Sequence, residues 1–264
     1  MRLPSTARFL GQLLWFNLRA AMAYRVGFIT SVGFMVINDA MWIIFWSLFF
    51  SRFPVVRGWT LEDVVTLWAV AATGYGVAWG FFGNVRPEGA RVIVSGRMDY
   101  YLSLPRNVLL HFIGGAISVA SFGDILFGLG VFAAVVRPDA AQLGLFIVLS
   151  LCAAVILISF GLMVVSLAFW AGNTEGLGLQ ISNALITFST YPLDLFSTSV
   201  KVMLFTIIPA GFATYVPVTI IREFDPFRFL IVVMFTAALA ALATTVFYTG
   251  LRRYESGSLV ATQG

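Results

Sequence analysis

The chain has 264 residues, of which 60% are hydrophobic and only 11% are charged, and its mean hydropathy is +0.94. A soluble domain of this size needs far more charge to cover its surface, so the composition indicates an integral membrane protein instead. The net charge of +4 is typical of a basic cytoplasmic face, and we expect no nucleic-acid partner. The single cysteine, Cys152, excludes disulfides within the chain and cysteine-based metal sites.

Residues 1–25 mix apolar side chains with arginines and amides, and they are too polar to cross a membrane. This pattern predicts an amphipathic helix in the membrane interface, and no removable signal peptide. Five apolar runs follow that are long enough to span about 30 Å of hydrocarbon at about 1.5 Å per residue. They cover about 26–50, 62–83, 108–135, 142–170 and 227–250, and a more polar sixth run covers 177–196.

The stretch 199–221 is ambiguous because Pro209, Gly211 and Pro217 interrupt it. We predict broken helices at the outer face, over 194–224, rather than a seventh span. A six-span domain over 26–251 then leaves both termini, including the tail 252–264, in the cytoplasm. Lysine and arginine are more frequent on the inner side in the six-span and the seven-span topology alike. The positive-inside rule therefore supports a cytoplasmic N-terminus but does not choose between the two topologies.

The cytoplasmic loop after the second predicted span, residues 84–107, is rich in arginine. Gly96 and Pro105 bracket its helical part. Five apolar side chains are expected on one face of this part: Val92, Ile93, Met98, Tyr101 and Leu102. The composition alone also fits a solvated loop whose arginines anchor lipid headgroups.

Motifs for catalysis or cofactor binding are not found in the sequence. It contains no GxxxxGK[ST] or HExxH motif, and its only histidine, His111, is expected to be an interfacial or packing residue. We predict that the chain is not an enzyme and that it binds no metal or cofactor itself.

Two carboxylates, Asp39 and Asp124, fall within the first and third predicted spans. Charge inside a membrane is costly and usually has a function, so they are candidates for proton or cation coupling. The alternative is that they form hydrogen bonds to neighbouring helices or face a partner subunit.

Two helical faces are candidates for a translocation path. The second span carries small side chains at steps of three and four, including Thr73, Gly76 and Gly80. The sixth apolar run, which is the fifth span in chain order, carries a polar line at the same spacing: Gln180, Asn183, Thr187 and Thr190. From the sequence, contacts between helices and a permeation path explain these faces equally well.

Three segments in this order resemble a bacterial six-span branch of the ABC-2 type permeases, the membrane subunits of ABC exporters. They are "GRMDYYLSLPRNVL" (96–109), "SNALITFSTYPLDLF" (182–196) and "IIPAGFATYVPV" (207–218). The resemblance implies an all-α fold with six transmembrane helices, an N-terminal interfacial helix and a cytoplasmic coupling helix. It also implies a place in the bacterial cytoplasmic (inner) membrane.

The same resemblance implies partners. ATP and Mg would be bound by separate ABC ATPase subunits, and a second permease subunit, a related chain or a copy, would complete the path. The coupling helix would dock on the ATPase, and by match its residues are Arg91, Gly96, Arg97, Asp99, Tyr100 and Pro105.

Two other functions remain open at this point. One is a proton- or cation-coupled secondary transporter that uses Asp39 and Asp124, and the other is a non-transporting membrane scaffold. An ATPase that co-purifies with the chain would distinguish the exporter from both.

Overall fold

The computed structural model describes residues 6–105 and 107–255, and these residues form helices and no strand. The all-α prediction is therefore confirmed. The first helices are α1 (Thr6–Met22), α2 (Arg25–Arg52), α3 (Leu61–Phe81), α4 (Ala90–Val94), α5 (Met98–Ser103), α6 (Val108–Ile113) and α7 (Ser121–Val135). The others are α8 (Ala140–Ser166), α9 (Ala168–Ala171), α10 (Glu175–Ser189), α11 (Thr198–Thr206), α12 (Val216–Arg222) and α13 (Pro226–Leu251).

Four of the described helices are long and apolar enough to cross a membrane. These are α2, α3, the rod Ala140–Ala171 formed by α8 and α9, and α13. A fifth crossing results if α11 and the segment Gly211–Arg222 count together as one bent span. The chain is thus a multi-pass membrane protein, but the predicted count of six spans is not confirmed.

The predicted third span, 108–135, is divided into α6 and α7, and this break explains part of the difference. α7 has 15 residues and is about 22 Å long at about 1.5 Å per residue, which is shorter than the hydrocarbon layer. The connection after α6 bonds to the end of α3 instead of continuing the helix. Gly83 N–H donates to the carbonyl of Ala116 (2.8 Å), and the Asn84 amide donates to the carbonyl of Phe112 (2.8 Å). The predicted fifth span is likewise a helix of only 15 residues, α10.

α3 lies at the centre of the bundle. Of its most apolar stretch 83% is buried, whereas the corresponding values are 11% for α2 and 17% for α13. A capping box between Thr60 and Asp63 starts the helix, and Arg222 forms an ion pair with Asp63 at 2.9 Å. The outward surfaces of α2 and α13 are therefore the ones available to lipid or to another subunit.

Small residues on α3 and α7 let these two helices approach closely. A Cβ atom added to Gly76 would lie 2.5 Å from Ile125 Cγ1 and 2.8 Å from the carbonyl oxygen of Ser121. One added to Gly128 would collide with Thr73. Thr73 and Gly76 are thus buried between helices of the same chain, and close packing explains their small size.

The predicted break in 199–221 is confirmed. α11 and Gly211–Arg222 are bent by 84° relative to each other, and the second piece begins with a π-helical turn, Gly211–Tyr215. The carboxylate of Asp194 holds this region together. It accepts hydrogen bonds from Trp59 Nε1 (3.0 Å) and from the Tyr215 hydroxyl (2.9 Å), and it forms an ion pair with Lys201 (2.6 Å). Partial burial favours the neutral acid, but these three partners outweigh it and lower the pKa of Asp194.

α1 falls within the range predicted for the N-terminal amphipathic helix and packs on the break after α6. The amide of Asn17 donates to the carbonyl of Gly114 (2.8 Å), and the ring of Phe9 meets His111 edge-on at 4.7 Å. Its position in the membrane interface stays a prediction.

We predict that Gly76→Ala lowers the stability of the protein by about 1–3 kcal/mol, because the added methyl group would separate α3 from α7. Gly80→Ala is the matched control on the same helix. The nearest atom to a Cβ there is Phe122 Cε1, at an ordinary 3.7 Å, and alanine is a better helix former than glycine. Thermal melting of both variants in one detergent tests this. Equal melting temperatures would show that the α3–α7 contact is not as close as described.

Candidate functional site

The segment 83–105 connects the end of α3 to α6 and contains every predicted coupling residue. Two 3₁₀ turns, Gly83–Val85 and Pro87–Gly89, lead into α4. Gly96 separates α4 from α5, and its φ of +77° is a conformation that side chains with a Cβ rarely adopt. The sequence thus forms two short helices joined by a tight turn, and not one helix.

The apolar side of this segment packs into the chain's own core. Ile93 and Met98 are fully buried in a cluster with Phe169 and Phe247, from α9 and α13. This apolar face is therefore not free to fill a groove on a partner. In the structure it holds the segment against the helix bundle, so only the polar side and a few exposed rings are available to another protein.

The opposite side of the segment is exposed and carries most of the predicted coupling residues: Arg91, Arg97, Asp99, Tyr100 and Pro105. Tyr100 is 65% exposed. Arg97 makes no ion pair with the described residues. Arg91 does, with Glu175 at the start of α10. The segment is therefore joined to α10 as well as to α3.

The C-terminal end of α13 contributes to the same surface. Tyr254 follows this helix and packs against the ring of Phe169. Burial, followed by the negative charge of the neighbouring Asp99, raises the pKa of the Tyr254 phenol to about 12. Tyr254 thus lies between Phe169 of α9 and Asp99 of α5.

A cavity of about 290 Å³ lies between α2, α3, α7 and α10. Both predicted intramembrane carboxylates line it, Asp39 from α2 and Asp124 from α7, and each is only 4% exposed. Thr187, from α10, and Thr190, which follows it, also line the cavity. Four of the residues singled out in the sequence are thus brought together around one space.

The other residues of the two predicted path faces do not line this cavity. Gln180 and Asn183 are exposed on α10, whereas Thr73, Gly76 and Gly80 are buried along α3. The two faces are therefore in different environments, and a path role for the α3 set stays a prediction.

The aromatic wall of the cavity was missed in the sequence. Trp42 lines it from α2, and Trp68, Tyr75 and Trp79 line it from α3. The three α3 residues recur at steps of seven and four, which places them on one face of a helix. This spacing is visible in the sequence, but in a chain so rich in aromatic residues it does not distinguish a cavity wall from ordinary packing.

A sequence profile for ABC-2 family transporter proteins matches residues 36–258, which is most of the chain. The chain belongs to this family. No curated protein and no solved structure matches the chain.

The ABC-2 profile covers both regions described above. It begins within α2, three residues before Asp39, and ends three residues after Glu255, so it includes the whole of segment 83–105 and every residue that lines the cavity except Met35. Among the helices that the structure describes, α1 and the first part of α2 precede it. The chain is thus a membrane component of a transport system over nearly its whole length.

Proposed function

We propose that this ABC-2 family protein is a permease subunit of an ATP-driven ABC exporter. In this proposal it forms half of the translocation path with a second permease subunit, and separate ATPase subunits bind ATP and Mg. The observation that carries the proposal is the construction of segment 83–105. It is anchored in the bundle on its apolar side and exposes charged and aromatic groups on the other.

A segment built in this way can transmit force. Ile93 and Met98 hold it against α9 and α13, and the ion pair between Arg91 and Glu175 joins it to α10. Motion imposed on Arg97 and Asp99 by an ATPase would therefore move the helices and not only a loop. Charged side chains around an exposed ring, here Tyr100, are a common composition for the edge of a protein interface.

The second permease subunit would meet the surface that α2 and α10 form beside the cavity. The exposed face of α10 presents Gln180, Asn183 and Thr187, whose polar groups lipid cannot satisfy. Neighbouring α2 buries only 11% of its most apolar stretch within the chain. A partner subunit on this surface would provide both hydrogen-bond partners and apolar contact.

We further propose six crossings in the bacterial inner membrane, with both termini in the cytoplasm. α7 and α10 would complete their crossings with the non-helical residues next to them, and the bent pair after α10 would stay at the outer face. Segment 83–105 would then lie in the cytoplasm, where an ATPase can reach it.

The main alternative is a transporter driven by protons or cations. The position of Asp39 and Asp124 side by side in one cavity favours it. The two functions differ in whether an ATPase binds this chain.

We predict that replacing Arg97 and Asp99 by alanine reduces either ATPase co-purification or permease-stimulated ATP hydrolysis by roughly tenfold, as expected for the loss of charged interface contacts. Membrane insertion should be unchanged, because both side chains are exposed. The matched control is Arg52→Ala. Arg52 is an exposed arginine at the C-terminal end of α2, outside segment 83–105. If the double variant binds the ATPase and stimulates ATP hydrolysis as the wild type does, the segment does not contact the ATPase through these residues and serves only as a lipid anchor.

The proposed topology predicts the reactivity of two introduced cysteines in a background with Cys152→Ala. Ser199→Cys should react with an impermeant thiol reagent in intact cells, since Ser199 is exposed and its replacement leaves the Lys201–Asp194 pair intact. Gln263→Cys should react only after the cells are permeabilised. Reaction of Gln263→Cys in intact cells would favour seven spans.

A further inference from the structure

Asp39 and Asp124 lie side by side although they come from different helices. Their carboxyl groups are close enough to interact directly. Gly123, the neighbour of Asp124, permits this, because a Cβ atom there would lie 2.6 Å from the carbonyl oxygen of Val32 and 2.7 Å from Met35 Cβ. The close approach of α7 to α2 thus places two acidic groups in one buried position.

Nothing basic among the described residues compensates these two groups. None of the ion pairs in that part of the chain includes either carboxylate. Asp39 Oδ1 accepts one long hydrogen bond, from Asn38 at 3.4 Å, and Oδ2 accepts none from the described residues. Two like charges in contact and away from water are strongly unfavourable, so the site requires a proton or a cation between them.

The cavity beside the carboxylates has an aromatic wall. The rings of Trp42 and Trp68 stack at 5.4 Å, and those of Tyr75 and Trp79 meet at 5.0 Å. Trp68 is 7% exposed, and its indole N–H has no hydrogen-bond partner among the described residues. Faces of tryptophan and tyrosine attract organic cations, and the indole N–H can donate to a ligand.

The donor set favours an organic cation over a divalent metal ion. Calcium takes six to eight oxygen ligands in flexible geometry, and magnesium takes six in near-octahedral geometry, several of them usually waters. In the described part of the chain, no third acidic, histidine or cysteine side chain joins the pair. A single shared proton would relieve the repulsion between the carboxylates, but one negative charge would remain, and the aromatic wall and the indole N–H would have no function.

We propose that this cavity binds an organic ammonium ion, with the charge at Asp39 and Asp124 and the apolar body against Trp42 and Trp68. The volume of about 290 Å³ is at the small end for ligand pockets. This inference rests on the proposed transport function, for which it supplies the substrate class. Small aromatic or alkyl ammonium compounds are that class.

Binding of benzyltrimethylammonium to the purified full chain in lipid nanodiscs, measured by titration calorimetry, tests the proposal. The wild type should bind benzyltrimethylammonium saturably. Neopentylbenzene, which has the same shape but no charge, should not displace it. Asp39→Asn and Asp124→Asn should each weaken binding about tenfold or more, because each removes a negative charge that attracts the ammonium ion in a buried site. Glu62→Gln, which removes an exposed carboxylate at the start of α3, should bind as the wild type does. No binding by the wild type, or equal binding by the Asp39→Asn/Asp124→Asn variant, would overturn the proposal.

Variants of Trp42 test the aromatic wall while both charges remain. Trp42→Phe keeps a ring face and should bind within about threefold of the wild type, whereas Trp42→Leu should bind about fivefold more weakly or worse. Equal binding by Trp42→Leu and the wild type would show that the aromatic wall does not contribute to binding. Melting temperatures near that of the wild type show that each variant is folded.

The outcome can be distinguished from a failure of the proposed function. The binding assay contains neither ATP nor an ATPase. If the chain does not bind the ammonium ion but associates normally with an ATPase, the proposed substrate class is wrong and the proposed exporter function still holds. If the chain binds the ammonium ion but no ATPase associates with it, the proposed exporter function is wrong and the proposed cation site still holds.

Discussion

The contact between α3 and α7 helps to determine the positions of the cavity and of segment 83–105. Gly76 and Gly128 allow the backbones of the two helices to approach closely, and no larger side chain fits at either position without displacing the other helix. This contact places Asp124 of α7 at the cavity that α3 lines with aromatic rings. It also fixes the end of α3, from which segment 83–105 continues. The cavity and the proposed ATPase contact are therefore both connected to α3.

This connection gives the proposed mechanism a physical route. At the end of α3, the carbonyl of Trp79 accepts a hydrogen bond from Ser118 N–H (3.0 Å), and the guanidinium of Arg86 lies 5.5 Å from the Trp79 ring. Trp79 also lines the cavity. A displacement of segment 83–105 would thus reach the cavity wall within a few residues. Asp194 and its partners hold the bent helices against the loop that follows α2, which would keep the other end of the bundle fixed.

Apolar length was enough to predict α2, α3, α8 and α13, because a long hydrophobic run has few alternatives to a helix in lipid. It was not enough for 108–135. Hydrophobicity does not reveal that the residues after α6 leave the helix, because the bonds that stabilise this break are tertiary. The amide of Asn84 accounts for one of them, and it lies 28 positions before its acceptor, Phe112.

For the candidate site, too, the sequence identified individual residues but not the contacts between them. Each aspartate could be identified from its position in an apolar run, but their contact depends on how α2 and α7 pack around Gly123. The predicted apolar face of segment 83–105 is buried at Val92, Ile93 and Met98, but Leu102, which is predicted to lie on the same face, is 44% exposed. What its apolar side contacts could not be predicted, since Phe169 and Phe247 are distant in the sequence.

The central claim is that the exposed side of segment 83–105 contacts an ATPase, and photocrosslinking in cells tests it most directly. A benzophenone amino acid at position 100 replaces Tyr100, which is exposed there, and one at position 34 replaces Phe34 on the outward surface of α2. Crosslinked products are identified by mass spectrometry. The account predicts an adduct between position 100 and a protein with a GxxxxGK[ST] motif, and none from position 34. Efficient incorporation at position 100 without any such adduct would contradict it.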